Sequence, residues 1–523
     1  MSRIIKEIYA EVIKRTAERC RKRGIVLPTF AQLRNPELIP PAIKRKLKGV
    51  GLWDVNPVNL FRITWKNDVK TGLYGGVNYV EIPQAITGVK ARVIGLVGKY
   101  FPTGAHKVGA AFGCLVPRLV SGEFDPEKHK AAWPSTGNYC RGGAFDCAVL
   151  GCTSIAILPQ GMSRERFAWL KEIGAEIIAT PGCESNVKEI YDKCWELKRD
   201  PTNVIFNQFE EFGNPIFHYN VTGPAVEEVF QELNAVERGV HAASASELKS
   251  ASGSNLALSS HRTVKRPEGR APLPLRAAAF ISATGSAGTI ASGDYLKTKH
   301  PNLKIVATEA LQCPTLLMNG FGDHRIEGIG DKHIPWVHNV RNTDAVAAID
   351  DEDCMRILRL FNERAGRKYL AALGVKTEEL ESLPLLGISS ICNLLAAIKT
   401  AKYFDLDERD VIFTVFTDST ELYGSRVKEL EKERGTYRPQ DAIADFAGPL
   451  AHQSVDYFKE LTHPERKAIH NLKYYTWVEQ QGKTSAELAK QWNPEYWRAL
   501  FEDEVAYFDQ LIVEFNQQVR AGE

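Results

Sequence analysis

Residues 91–120 read ARVIGLVGKYFPTGAHKVGAAFGCLVPRLV, and two textures meet inside them. Ala91–Val97 is an apolar run of strand length, and Val108–Val120 is apolar over the length of a helix. Between them lies Pro102–Thr103–Gly104–Ala105–His106–Lys107, a turn of small residues that ends on a lysine. A strand, a tight turn and a helix make the first half of a βαβ unit. The same alternation spreads outward from about Val77, through Ala131–Pro134 and Ala144–Leu150, Ser154–Leu158 and Arg164–Ile173, to Glu176–Ala179. A second series runs Ala277–Ala283, Thr289–Lys297, Leu303–Thr308 and later Asp410–Phe416. Strands alternating with helices predict an α/β fold of doubly wound, open parallel sheets.

This core is expected over 76–240 and 276–425. Residues 1–75 are charged at helical spacing and broken at Leu38–Ile39–Pro40–Pro41, which predicts a helical N-terminal extension. Residues 241–275 are low in complexity, rich in Ser, Ala, Lys and Arg, with prolines at 267, 272 and 274, and read as a flexible surface insertion. Residues 426–523 are helical again and aromatic-rich (Tyr457, Tyr474, Trp477, Trp497, Phe501, Phe508). They predict an extension that packs on its own chain or on a second copy.

Charge and composition narrow the function. With 66 basic against 64 acidic residues the net charge is only +2, so no global field favours nucleic acid or an anionic membrane. No apolar run reaches the roughly 18 residues of a spanning helix, and no apolar stretch with a small-residue cleavage site follows Met1. The ten cysteines are scattered; Cys140, Cys147 and Cys152 fit no zinc spacing, so no metal site is expected and the compartment is read as the reducing cytoplasm.

Three segments carry chemistry. Lys107, at a strand-to-helix turn among small residues, can reach a ligand unhindered, and partial burial would lower its pKa and make it an amine nucleophile. The plainer reading of that segment alone is a solvent-exposed lysine at a helix start. Ser135–Thr136–Gly137–Asn138 sits after a strand and before a helix, where backbone N–H groups suit a carboxylate or phenolate oxygen; taken alone it is also an ordinary helix cap. Thr284–Gly285–Ser286–Ala287–Gly288–Thr289 follows the strand Ala277–Ala283 and suits a phosphate. It is neither a dinucleotide fingerprint nor a Walker A loop, which favours a single phosphate monoester. An amine, a phosphate cradle and an anion-binding helix start together suggest a phosphorylated aldehyde held as a Schiff base. Pyridoxal 5'-phosphate (PLP) is such a molecule.

The chain resembles the fold type II PLP enzymes, the tryptophan synthase β-family, and within it cysteine synthase above all. Thr103–Gly104–Ala105–His106–Lys107 looks like the lysine segment of tryptophan synthase β chains, and Ser135–Thr136–Gly137–Asn138 like the substrate loop of cysteine synthases. Met162–Ser163–Arg164–Glu165–Arg166, Leu170–Lys171–Glu172–Ile173–Gly174–Ala175–Glu176, Asn207–Gln208–Phe209, His218–Tyr219 and Thr222–Gly223–Pro224 continue the pattern. So do Ile326–Glu327–Gly328–Ile329–Gly330, Ile334–Pro335, Gly387–Ile388–Ser389–Ser390 and Thr417–Asp418–Ser419 with Tyr423. The likeness runs in order from about residue 77 to 425.

The resemblance implies two doubly wound sheets with PLP between them, Lys107 as the Schiff-base lysine and proton shuttle, and Asn138 on the cofactor's phenolic oxygen. It places Gly285, Ser286, Ala287, Gly288 and Thr289 on the phosphate with His106 beside them. Ser135, Thr136, Gly137 and Gln208 would hold the substrate, and Ser419 would face the pyridine nitrogen, or Asp418 if the register slips by one. The implied reaction is cysteine synthase-like β-replacement on a small amino acid through an aminoacrylate, with a thiol or sulfide as co-substrate. A β-eliminating lyase is the alternative, and a fold that has lost catalysis a third. A homodimer is also implied. Ser135 stands where tryptophan synthase has its catalytic glutamate, Ser286 and Ala287 depart from the usual phosphate loop, and Tyr139 replaces a small residue. A divergent subfamily follows.

Overall fold

In the computed structural model, residues 4–182, 186–237, 274–330 and 332–521 are described. The expected insertion at 241–275 lies outside them except for its last two residues. Strand Arg92–Val97 buries nearly every side chain, as does Asp410–Phe416, because parallel strands are covered on both faces. Both belong to a seven-stranded sheet in the order Phe458–Glu460, Ala345–Ile349, Lys304–Ala310, Arg276–Ala283, Asp410–Phe416, Arg92–Val97, Tyr79–Ile82. The five inner strands are mutually parallel and the two edge strands run antiparallel to them. A second, four-stranded sheet in the order Glu176–Thr180, Thr153–Pro159, Lys130–Pro134, Asn203–Ile205 is parallel throughout.

The chain enters the large sheet at Tyr79–Ile82 and Arg92–Val97, builds the small sheet over residues 130–205, and returns to the large sheet at Arg276. Helices Lys107–Ser121 and Asn138–Leu150 pack on one another between these excursions. Most expected strands fall within two residues of their observed bounds. Ala345–Ile349, Asn203–Ile205 and Phe458–Glu460 were not expected. They are short, and a three- to five-residue run carries too little periodicity to stand out.

Both terminal stretches are tied to the core and to each other. Helix Ala10–Lys22 packs against helix Glu504–Arg520. The Asp509 carboxylate accepts the amides of Phe30 and Ala31, 2.6 and 3.1 Å, at the positive start of helix Phe30–Arg34. The stretch after Arg426 supplies the edge strand Phe458–Glu460. Among the described residues no single helix is long and apolar enough to cross a membrane.

Candidate active site

Four inner segments leave the carboxyl ends of parallel strands, where α/β sheets bind ligands. After Arg92–Val97 the chain turns through Gly98–Tyr100 and starts helix Lys107–Ser121 with Lys107 as its first residue. Lys107 Nζ donates to Ser286 Oγ at 3.1 Å across 179 residues of sequence. Its side chain borders a cavity lined also by Ser282, Gly285, Thr289, Asn393 and Thr417. Burial pushes the Lys107 amine down to about 8, so a substantial neutral fraction exists near neutral pH.

The glycine loop after Arg276–Ala283 faces this lysine. None of the five backbone N–H groups of Gly285 to Thr289 donates to another described residue, although Thr284 N bonds Thr308 O just before them. Five successive unfilled donors at a strand-to-helix turn match the oxygens of a phosphate monoester. The backbone is bent for the purpose: Ala287 sits at φ 58°, a left-handed value that costs a residue with a Cβ about 1–2 kcal/mol. Gly288 cannot be larger, since a Cβ there would lie 1.9 Å from Asn214 Oδ1. Asn214 Nδ2 donates to Ser286 Oγ and to Gln208 O, both at 3.0 Å, so it ties the loop to the Gln208 segment.

His106 is buried, and its Nε2 lies 3.1 Å from Thr289 Oγ1 while its Nδ1 has no partner. Burial, with the Lys107 charge beside it, lowers its pKa to about 3 and keeps the ring neutral. It stacks on Trp65 at 5.5 Å and meets the His218 ring edge-on at 5.0 Å. Trp65 Nε1 and His218 Nδ1 both reach Thr222 Oγ1, at 3.0 Å each.

The third segment, Ser135 to Asn138, is buried and clamped. Gly137 N donates to Ser135 Oγ at 3.0 Å, and Arg166 Nη1 donates to the Thr136 carbonyl at 2.7 Å. Gly137 has φ 146°, and a Cβ on it would lie 2.0 Å from Arg166 Nη1, so this position admits only glycine. Asn138 Nδ2 donates to Asp418 Oδ2 at 2.6 Å, and Tyr423 OH to the same oxygen at 2.8 Å. Burial pushes the Asp418 carboxyl above its ordinary value while Arg166, Asn138 and Tyr423 pull it back.

Lys107, His106 and Gly285–Thr289 therefore meet at one place, and the Ser135–Asn138 loop is tied through Asn138 to Asp418, the residue after the cavity-lining Thr417. Gln208 is buried and joins them through Asn214. Thr417, two residues before Ser419, is among the residues that line the cavity beside Lys107. Ser419 is buried as the residue before the turn Thr420–Tyr423, and Asp418 turns toward Asn138. Asn214, Trp65, Arg166 and Thr417 received no role from the sequence. Asn214 has a local signal in Asn–Pro opening a helix just after Asn207–Gln208–Phe209, but Trp65 lies in the N-terminal stretch where nothing marks a site.

The donor set, an amine of lowered pKa beside a cradle of unfilled amides, fits a phosphorylated aldehyde, and the two-sheet architecture is that of the fold type II PLP enzymes. No family model matches the chain. It is 27% identical to a cysteine synthase of Staphylococcus aureus over 354 residues, covering 68% of this chain and 94% of that protein. It is 25% identical to cystathionine beta-synthase of Saccharomyces cerevisiae over 353 residues, 66% of this chain and 59% of that protein. A hydrogen sulfide-producing enzyme from Fusobacterium nucleatum shares the fold with a TM-score of 0.50 at 23% identity, covering 67% of this chain and 97% of that one. The chain is a divergent homologue of the PLP-dependent cysteine synthases.

Proposed function

We propose that the protein is a PLP-dependent enzyme that replaces a group on the β-carbon of a small amino acid, in the manner of a cysteine synthase, with a thiol or sulfide as the incoming nucleophile. The observation that carries this reading is Lys107 Nζ, 3.1 Å from Ser286 at the rim of five unfilled amides. Gly285, Ser286, Ala287, Gly288 and Thr289 would hold the phosphate, with His106 held neutral against Thr289. Asn138 would donate to the cofactor's phenolic oxygen, and Ser135, Thr136, Gly137 and Gln208 would hold the substrate carboxylate. When bound, PLP supplies an electron sink that lets the group on the β-carbon depart. Lys107, once its Nζ is free, takes the proton from the substrate Cα, a task that suits an amine with a pKa near 8. Ser419 would face the ring nitrogen with a hydroxyl, not a carboxylate, so the nitrogen would gain no full counter-charge there and loss of the β-substituent would compete well with transamination.

If water takes the place of the second nucleophile, the same residues run a β-elimination. The two are separated by product analysis with cysteine, serine, O-acetylserine and O-phosphoserine, with and without sulfide. Ammonia and keto acid forming at the same rate in both cases would reject replacement. A homodimer in the cytoplasm belongs to the same reading; the described cysteines are unpaired, as in a reducing compartment.

A further inference from the structure

We propose that a buried ion cluster of Arg166, Asp418, Glu327 and Tyr423 is a positioning device that sets the geometry of both ligands of the site, through Thr136 on one side and Asn138 on the other. This rests on the functional reading above and adds residues to which that reading gives no part.

The members arrive from three segments. Arg166 lies on helix Arg164–Glu172, in the excursion that forms the four-stranded sheet, as does the Ser135–Asn138 loop. Glu327, Asp418 and Tyr423 belong to segments that flank strands of the seven-stranded sheet. The side chains of Arg166, Glu327 and Asp418 are completely enclosed. Arg166 Nε lies 3.2 Å from Glu327 Oε2, Nη2 donates to Tyr423 OH at 2.8 Å and lies 3.7 Å from Asp418 Oδ2, and Nη1 donates to Thr136 O at 2.7 Å. Glu327 in turn holds Arg426 Nε at 2.5 Å. A planar guanidinium is the side chain that can fill these directions at once, and its plane lies against Gly137, where no side chain fits.

Such a cluster does more than join two sheets, because each arm ends on a different ligand-facing residue. The terminal torsion of an asparagine is soft, so the bond to Asp418 decides how the Asn138 amide points and leaves its second N–H as the donor for a ligand. The Arg166 bond fixes the peptide that follows Thr136, whose Gly137 N–H donates to Ser135 Oγ, and with it the placement of Ser135 and Thr136, which would face a substrate carboxylate. Asp418 and Arg166 touch neither ligand; they act through Asn138 and Thr136.

The two arms give two separable readouts in the holoenzyme. Asp418→Asn removes the acceptor that orients Asn138. It is expected to displace the visible absorption band of the bound cofactor, or its pH titration, and to weaken PLP binding about tenfold. Arg166→Lys keeps the charge but loses the fork. It is expected to raise KM for the amino acid about tenfold while leaving the band in place and changing kcat by less than about threefold. If either variant fails to fold, Tyr423→Phe removes one bond from each arm without changing any charge, and smaller shifts of both band and KM are expected. Variants that lose thermal stability with band and KM both unmoved reduce the cluster to structural glue and overturn the proposal. A wild-type protein that takes up no PLP fails earlier, at the functional reading, and takes the inference with it.

Discussion

Lys107 and Lys473 are both drawn deep into the protein, and burial pushes both amines below the ordinary lysine range. Their company differs. Lys473 ends helix His463–Lys473 and its three N–H groups are filled, by Trp336 O at 2.9 Å, His338 O at 2.7 Å and Gln491 Oε1 at 2.7 Å. Lys107 has one hydroxyl partner and an open wall of the cavity. A saturated ammonium is a strut; an unsaturated one beside a cavity and unfilled amides is a reagent. The strut also serves the site. With Trp477 Nε1 on Ile334 O at 2.8 Å, it holds the outside of a loop whose Ile334 and Pro335 wall a second, small cavity next to Gly285.

The contrast can be broken by substitution. Lys107→Ala should abolish the Schiff-base absorption and lower turnover by about 10³-fold or more, with little change in the unfolding midpoint. Lys473→Met should do the reverse: three buried acceptors left unfilled should cost about 3–5 kcal/mol in urea unfolding, while the surviving folded fraction keeps its absorption band. A Lys473 variant that lost the band at unchanged stability would dissolve the distinction. The pH response sharpens it further. Lys107 loses its proton as pH rises through about 8, so PLP uptake by the cofactor-free protein should accelerate with pH. The rate at pH 9 should be about tenfold that at pH 7, followed by absorbance. The smallest effect belongs to the glycine loop. Ala287→Gly relieves the left-handed strain but frees the unfolded chain, for a net gain under about 1 kcal/mol in the same urea assay.

The parallel core could be read because its strands are long and follow the period of a buried βαβ unit, and the lysine and glycine loops because small residues at strand ends have few other uses. What escaped the sequence depends on distance along the chain. Ser286 meets Asn214 across 72 residues and Arg166 meets Tyr423 across 257, contacts that exist only once both sheets are assembled. The stretch after Arg426 looked like an appendage because its helices and aromatics carry no strand signal. Its three-residue strand Phe458–Glu460 nevertheless extends the main sheet, and Lys473 and Trp477 reach the loop at the site.

The central claim is that Lys107 holds the cofactor, and borohydride reduction of the purified protein incubated with PLP, followed by peptide mass mapping, tests it directly. A pyridoxyl group fixed on the peptide that contains Lys107, and on no other lysine in stoichiometric yield, is the expected result. A protein that remains unlabelled, or carries the label on a different lysine, would contradict the account.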